Sequence, residues 1–283
     1  MSYSTKSGLL ALVLGLPCAG AGAQDYMGPS IDYVGNHISA SQFRGQIERG
    51  QVQSKRPAER QGAGASPRPG AHAGSRGPDA AHASTMRALA FKPSAAASAR
   101  IRAAMATALS GSTTPDALPA TRLLHATFKA HPRFRSLLAA QLGTEEGRIR
   151  ERLRAGVLQS AFEQELDRYG YSSTNMGDVN NAYMIHAWGL VNNVRIDRNA
   201  VFAGQRAKLQ RSIRDGLRAP DIGDVEKQEY CEVVGMLTML TGSAWNKATP
   251  ADKPILQAGM RDIARRMGLD LSAVKLTASG FSG

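Results

Sequence analysis

Four polar residues in two neighbouring segments have the side chains needed for acid–base chemistry. Tyr183 and His186 are three positions apart, so an α-helix places them on the same side. Asp178 precedes them in the same segment, and Glu165 belongs to the segment before it. Imidazole suits proton transfer near neutral pH, and a nearby carboxylate tunes its pKa. The pattern indicates a polar cleft with His186 as general base and Asp178 or Glu165 tuning it.

A structural role accounts for the same residues, and we favour it. A buried network that joins Glu165 to His186 or to an arginine needs no catalysis to explain its residue types. Glu165 has apolar neighbours at helical spacing, so we expect it to be partly buried. Asp178 stands in the first turn of a predicted helix, where a carboxylate caps the helix or complements its dipole.

The remaining acidic residues do not form a recognisable metal or cofactor motif. Glu229 and Glu232 share one side of a predicted helix, but no histidine follows at ligand spacing in that helix. We expect this acidic side to face an arginine-rich helix. The sequence also lacks an HExxH pair, a CxxC pair, a phosphate-binding glycine loop and a GxSxG nucleophile turn. It therefore predicts no metal site and no cofactor.

Basic residues provide the candidate binding surface. The chain has 35 Lys and Arg against 23 Asp and Glu, a net charge of +12, which attracts anionic polymers. Arg206, Arg211 and Arg214 lie on the outer side of a predicted helix over 197–218, and Trp188 is a further candidate. The arginines are suited to phosphate contacts, although a solvated helix face explains them equally simply. The predicted helix lacks a series of interleaved aromatic residues, which disfavours nucleic acid as the partner.

Apolar residues at helical spacing, closed by capping and helix-breaking residues, organise the chain from residue 85 onward. No segment shows the alternation or the turns of a β-hairpin. The predicted helices cover 94–110, 119–130, 134–142, 144–170, 176–193, 197–220, 224–245 and 249–268. An apolar tail over 269–281 should pack back onto them. The sequence therefore predicts an all-α fold over 85–283, a compact multi-helix bundle of about seven to eight helices with short loops.

The N-terminal third has the composition of a targeting segment followed by a flexible linker. Residues 1–23 have a positive start, an apolar run over 8–16 and small residues before a cleavage point near Ala23, which predicts a signal peptide. The run is too short to span a membrane. Residues 24–84 form a leader and linker rich in Gly, Ala, Pro and Arg. The sequence predicts export to the periplasm or the cell exterior, with Cys231 then left as a buried, inert thiol.

Three stretches of the predicted domain carry a pattern that is found together in a known group of proteins. They are Pro93-Ser94 with Arg100 and Arg102, then Tyr169-Gly170-Tyr171 with Asn175, Asp178, Asn181, Ala182-Tyr183 and Ala187-Trp188, then Gly268-Leu269-Asp270-Leu271 with Leu276-Thr277 and Gly280-Phe281. In these residues the chain resembles an uncharacterised family of secreted all-α bacterial domains of unknown function, over roughly residues 90–283. The resemblance implies an exported helical domain and no particular activity.

These observations lead to one expectation and two alternatives. We expect an exported, non-enzymatic helical interaction domain whose partner is a protein or an anionic polymer of the envelope. One alternative is an envelope hydrolase with its site around His186. The other is a binder of lipopolysaccharide or nucleic acid through the arginine-rich face of 197–218. The oligomeric state does not follow from the sequence.

Overall fold

The computed structural model describes residues 86–112, 119–194, 196–214, 222–267 and 269–282, and for 212–214 it describes the backbone alone. The predicted signal peptide 1–23 and the linker 24–84 lie outside these residues, as does residue 85. Within them, nine helices of eight or more residues confirm the all-α class. They are α1 Ala95–Ser110, α2 Pro119–Ala130, α3 Pro132–Ala139, α4 Glu146–Arg154, α5 Val157–Asp167, α6 Met176–Asn192, α7 Arg198–Arg214, α8 Asp224–Lys247 and α9 Lys253–Arg266.

Helices α6 and α8 form the centre of the molecule. Helix α8 packs against α6, α5, α1 and α2, and α6 also packs against α7 and α9. Both central helices are buried on most of their circumference, which is why their residues lack a clean polar face. Tyr183 from α6, Met236 from α8 and Met260 from α9 are fully enclosed. The two central helices therefore set the positions of the helices that pack against them.

The segment 144–170 differs from its prediction, because two helices replace the expected single one. Helix α4 ends at Arg154 and α5 begins at Val157, with Gly156 between them at φ +71°. Glycine adopts this left-handed conformation without the steric cost that a side chain adds. The guanidinium carbon of Arg102 would lie 3.2 Å from a Cβ at this position, so a side chain there would also press on that group. The break raises the number of helices above the predicted seven to eight.

The C-terminal tail packs back onto the bundle as predicted, but it ends in a hairpin that the sequence did not indicate. Strands β1 Lys275–Thr277 and β2 Gly280–Ser282 pair antiparallel, with Leu276 opposite Phe281. Each strand has three residues, which is too short for a recognisable alternation. The hairpin lies on α7, and Phe281 is buried there. None of the helices that the structure describes has both the length and the apolar composition needed to traverse a bilayer.

Candidate functional site

His186 is partly buried and is hydrogen-bonded to a neighbouring helix. Its Nε2 lies 2.9 Å from the Oγ1 of Thr241, and that hydroxyl donates its own hydrogen to the carbonyl of Leu237 at 2.7 Å. The network therefore assigns the proton to Nε2, which donates to Thr241. Burial, assisted by the positive charge of Arg198, lowers the pKa of His186 to about 3. The imidazole is therefore neutral near pH 7 and is a weak base.

Tyr183 is fully enclosed between the central helices. None of its surface reaches solvent, and its hydroxyl has no hydrogen-bond partner among the described residues. Burial raises the pKa of Tyr183 well above its ordinary value. A substrate in solution has no contact with this hydroxyl in the observed fold.

Asp178 fastens a loop to the start of α6. One of its oxygens accepts the N–H of Ser172 at 2.9 Å, and the other lies 3.7 Å from a guanidinium nitrogen of Arg206. Burial raises the pKa of Asp178, and the contacts with Ser172 and Arg206 oppose that shift. The helix cap itself is Asn175, whose side chain accepts the N–H groups of Gly177 and Asp178. Asp178 thus holds the loop before α6 in place.

Glu165 is partly buried, as predicted, and its partners are arginines. Its carboxylate accepts a hydrogen bond from Arg168 at 3.1 Å and another from Arg198, and the hydroxyl of Tyr169 lies 3.4 Å away. This is the arginine-bound network that we favoured over catalysis. His186, Asp178 and Glu165 therefore each bond to a different structural partner. The hydroxyl of Tyr183 has no partner among the described residues. None of them lines the concave surface beside α7 or the one between α1, α5 and α8.

Glu229 and Glu232 face α1 and α2, which corrects the expectation that they face the arginine-rich helix. Glu229 is buried and accepts the N–H and the hydroxyl of Thr121 at 2.9 and 2.7 Å, with the N–H of Ala120 at 3.3 Å. It therefore caps the N-terminus of α2, where free N–H groups need an acceptor. Glu232 accepts the hydroxyl of Ser98 at 2.5 Å. In the described part of the chain, no group of three or more His, Cys, Asp or Glu is arranged to hold a metal ion.

A concave surface of about 310 Å³ opens beside α7 and the end of α5. We call it the aromatic–arginine pocket and define it by Arg168, Tyr169, Tyr171, Phe202 and Arg206, which line it. The rings of Tyr169 and Phe202 stack with centroids 4.2 Å apart and planes 23° apart. The ring of Tyr171 packs against Phe202 at 5.0 Å. The three packed rings therefore form the floor of the pocket, in which Tyr169 is partly exposed and Tyr171 and Phe202 are buried apart from a small surface. Two guanidinium groups accompany them in the lining.

The two arginines of this pocket differ in how firmly they are held. Arg206 lies 4.3 Å above the centroid of Tyr171, donates to the carbonyl of Gly170 and faces Asp178 at 3.7 Å. Arg168 has 64% of its side chain exposed and contacts Glu165. The fixed guanidinium offers an oriented donor group, and the exposed one is free to swing toward a ligand without disturbing the core.

The other predicted binding residues lie elsewhere. Arg211 is exposed on α7 but does not line the aromatic–arginine pocket. Arg214 is the last residue of α7, and its side chain lies outside the described residues. Trp188 is partly buried, and its Nε1 donates to the carbonyl of Val274 at 2.9 Å. Trp188 therefore fastens the C-terminal tail to α6.

The aromatic half of the pocket was not among the residues predicted from the sequence. That prediction considered a series of aromatic residues interleaved with arginines on one helix and passed over Phe202, the one aromatic residue of α7. The other two rings come from the turn that follows α5. Tyr169 and Tyr171 flank Gly170, whose φ of +66° turns the chain so that both rings reach Phe202. The Tyr-Gly-Tyr triplet was the available signal, because a turn between two aromatic residues brings them onto one surface.

Comparisons of this chain with protein-family models, with curated proteins and with solved structures found no match. The resemblance to a family of secreted helical domains therefore stays a prediction. The geometry of the described residues is the basis on which a function can be inferred.

Proposed function

We propose that this chain is a non-enzymatic binding module whose aromatic–arginine pocket holds an anionic partner. The observation that carries the proposal is the floor of three packed rings with Arg168 and Arg206 beside it in a concave surface of about 310 Å³. This volume is at the lower end of ordinary ligand pockets, and its mixture of rings and a few polar groups is typical of them.

The chemistry of the lining selects the partner class. A guanidinium binds phosphate or carboxylate oxygens through paired, charge-assisted hydrogen bonds. Aromatic rings bind the flat, weakly polar C–H face of a sugar or another ring. A saccharide that carries phosphate or carboxylate groups offers both features within a few ångströms. The proposed partner is therefore an acidic saccharide of the cell envelope, with lipopolysaccharide as the representative case.

The charges around the pocket favour attraction with limited strength. Asp178 and Glu165 partly neutralise Arg206 and Arg168, so the site is not a concentrated positive patch. Arg211 adds an exposed positive charge on the same helix, and the chain as a whole carries +12. Long-range attraction then brings an anionic polymer to the surface, and the ring floor selects the group that stays.

The proposal places the module outside the cytoplasm. Its support is the predicted signal peptide over 1–23 and the predicted linker over 24–84, a composition typical of tethers. A tether of this kind lets the folded domain reach a polymer at the envelope.

The hydrolase alternative has less support from the geometry. His186 is neutral, is bonded to Thr241 and has a pKa of about 3, which makes it a poor general base near pH 7. Tyr183 is enclosed, so it does not assist. Turnover of an envelope substrate that stops in His186→Ala would favour the hydrolase over the binding module.

The test measures binding of a soluble, delipidated and phosphorylated core oligosaccharide to the full chain by calorimetry. Arg168→Gln should weaken binding by about three- to tenfold and Arg206→Gln by about tenfold or more, because each removes a charged donor. Arg133→Gln is the matched control, since Arg133 is an exposed residue of α3 that does not line the pocket.

Two results would contradict the proposal. One is equal affinity of all three variants and the original protein for the oligosaccharide. The other is tighter binding of a single-stranded oligonucleotide than of the oligosaccharide, since rings and arginines also suit stacked bases. An uncharged oligosaccharide should bind at least about tenfold more weakly than the phosphorylated one, because the guanidiniums then have no anionic partner.

A further inference from the structure

A second, smaller pocket lies between three helices. It has a volume of about 120 Å³ and is lined by α1, α5 and α8, with a wall from the segments just before α1 and α6. We call it the three-helix pocket and define it by one polar side chain from each helix: Arg102, Gln159 and Glu232. It shares no lining residue with the aromatic–arginine pocket, so a ligand bound here is independent of the proposed function.

Four buried polar atoms of this pocket have no hydrogen-bond partner among the described residues. They are the Nε of Arg102, both amide atoms of Gln159 and the Oε2 of Glu232. Folded proteins rarely leave such atoms unpaired, because each loses its bonds to bulk water on burial. Because four such atoms belong to side chains that line one cavity, we infer that the cavity holds a polar ligand with complementary donors and acceptors.

Two of the three side chains are anchored through their other atoms. Glu232 accepts hydrogen bonds at Oε1 from Ser98 at 2.5 Å and from Gln228 at 2.8 Å. Arg102 donates through Nη1 to the carbonyl of Arg154 at 3.2 Å. The side chains of Glu232 and Arg102 are therefore held in place by these bonds, which fixes where their unpaired atoms lie.

Two of the unpaired atoms are hydrogen-bond acceptors and two are donors. A carboxylate oxygen of Glu232 and the amide oxygen of Gln159 accept hydrogen bonds, as an ammonium group requires. The Nε–H of Arg102 and the amide N–H of Gln159 donate them, as a carboxylate requires. We propose that the three-helix pocket binds a small zwitterionic amino acid, with its ammonium toward Glu232 and its carboxylate toward Arg102.

The walls limit the size of the amino acid. Phe91 and Phe162 line the pocket with apolar surface, and the ring of Phe162 packs on the bare backbone of Gly235. A Cβ on Gly235 would lie 2.6 Å from that ring, so the ring would have to move. Pro93 and Glu163 are exposed at the rim, which gives entry from solvent. A volume near 120 Å³ admits glycine, alanine or serine and excludes large side chains.

The experiment titrates the full chain with glycine, L-alanine and D-alanine, and measures binding by calorimetry together with the shift of the melting temperature. Acetate and methylammonium, which each carry one of the two charges, are separate arms. The zwitterions should bind and raise the melting temperature, and the two single-charge probes should bind at least about tenfold more weakly. Absence of binding by all three zwitterions, or equal binding by acetate, would overturn the proposal.

Two variants locate the site. Glu232→Gln should weaken alanine binding by about tenfold or more, because it removes the charge that faces the ammonium. Gln159→Met should abolish the alanine-induced shift while leaving the melting temperature of the unliganded protein equal or higher, since it removes two unpaired atoms. Glu151→Gln, an exposed residue of α4, is the control and should bind as the original protein does. An alanine-induced shift that persists in both pocket variants would refute the assignment, as would a lower melting temperature of unliganded Gln159→Met.

Discussion

At the scale of single residues, the environment of His186 shows how packing changes the chemistry of a side chain. The sequence places an imidazole on the same helix side as a tyrosine, which is typical of a polar cleft. In the fold the ring bonds to Thr241, and burial with the nearby charge of Arg198 disfavours its protonated form. A residue type that suggests proton transfer thus has a structural role here.

The lowered pKa of His186 predicts a pH-dependent stability. An unfolded chain protonates this residue near pH 6.5, whereas the folded chain does so only near pH 3. The unfolded state therefore binds more protons below pH 6.5, so the stability contribution present at neutral pH is lost as the pH falls toward 3. Between pH 7.5 and pH 5 the original protein should lose about 2 kcal/mol more free energy of unfolding than His186→Gln does.

Urea unfolding of both proteins at the two pH values measures this difference. Equal losses would show that His186 is not buried in its neutral form. Burial also raises the pKa values of Asp178 and Glu229, so these two groups change the free energy of unfolding with pH in the opposite direction. Both proteins contain them, so their effect cancels when His186→Gln is compared with the original protein.

At the scale of helices, the sequence indicated most of the elements because caps and breakers stand at their ends. Ser94 caps α1 by accepting the N–H of Ala97 at its hydroxyl, and Gly111 ends that helix at φ +88°. The break at Gly156 was not predictable, because a single glycine is also tolerated inside a helix. In the fold Arg102 lies against that glycine and donates to the carbonyl of Arg154, the last residue of α4, a contact between residues far apart in the chain.

The cap of α2 is another long-range contact that the sequence does not reveal. Thr121 lies 108 positions before Glu229, and only the packing of α8 against α2 brings the carboxylate to the free N–H groups. Burial raises the pKa of Glu229, and the hydrogen bonds from Thr121 and Ala120 oppose that shift. The acidic residue that suggested metal or acid–base chemistry therefore holds two helices together.

Removing this cap should destabilise the fold. Glu229→Ala leaves buried N–H and hydroxyl groups at the start of α2 without an acceptor, so we expect the free energy of unfolding to fall by about 2–4 kcal/mol. Chemical denaturation measures the change. Glu151→Ala, which alters an exposed acid of α4, should change stability by less than about 0.5 kcal/mol. A loss below about 1 kcal/mol for Glu229→Ala would contradict the capping role.

At the scale of the whole molecule, the C-terminal tail closes the bundle. Leu269, Leu271 and Phe281 are buried, and the indole of Trp188 bonds to the tail at Val274. The backbone N–H of Phe281 also donates to Gln205 of α7 at 2.9 Å. The sequence indicated that an apolar tail packs back, whereas the hairpin and its place on α7 follow from contacts that only the folded chain provides.

The tail should therefore contribute to global stability. Phe281→Ala removes a buried ring and should lower the free energy of unfolding by about 3–5 kcal/mol, with a matching fall in melting temperature measured by circular dichroism. Lys275→Ala, in the exposed part of β1, serves as the control and should melt within about a degree or two of the original protein. Similar melting temperatures for both variants would mean that the tail is not part of the cooperative unit.

The aromatic–arginine pocket also belongs to this scale, because the end of α5, the following turn and α7 build it together. The sequence supplied Arg206 as a candidate but not the ring floor, whose members become neighbours only when the turn at Gly170 closes onto α7. Local spacing of residues predicts where helices lie in the chain. It does not predict a surface shared by two segments, because that surface depends on how the segments pack.

The most direct test of the binding proposal is a nuclear magnetic resonance titration of the full chain with the phosphorylated core oligosaccharide. The aromatic resonances of Tyr169, Tyr171 and Phe202 should shift in proportion to the bound fraction, and the shifts should weaken when Arg206 is replaced by Gln. Binding that leaves these three rings unchanged, with shifts concentrated on other residues, would show that the partner docks elsewhere.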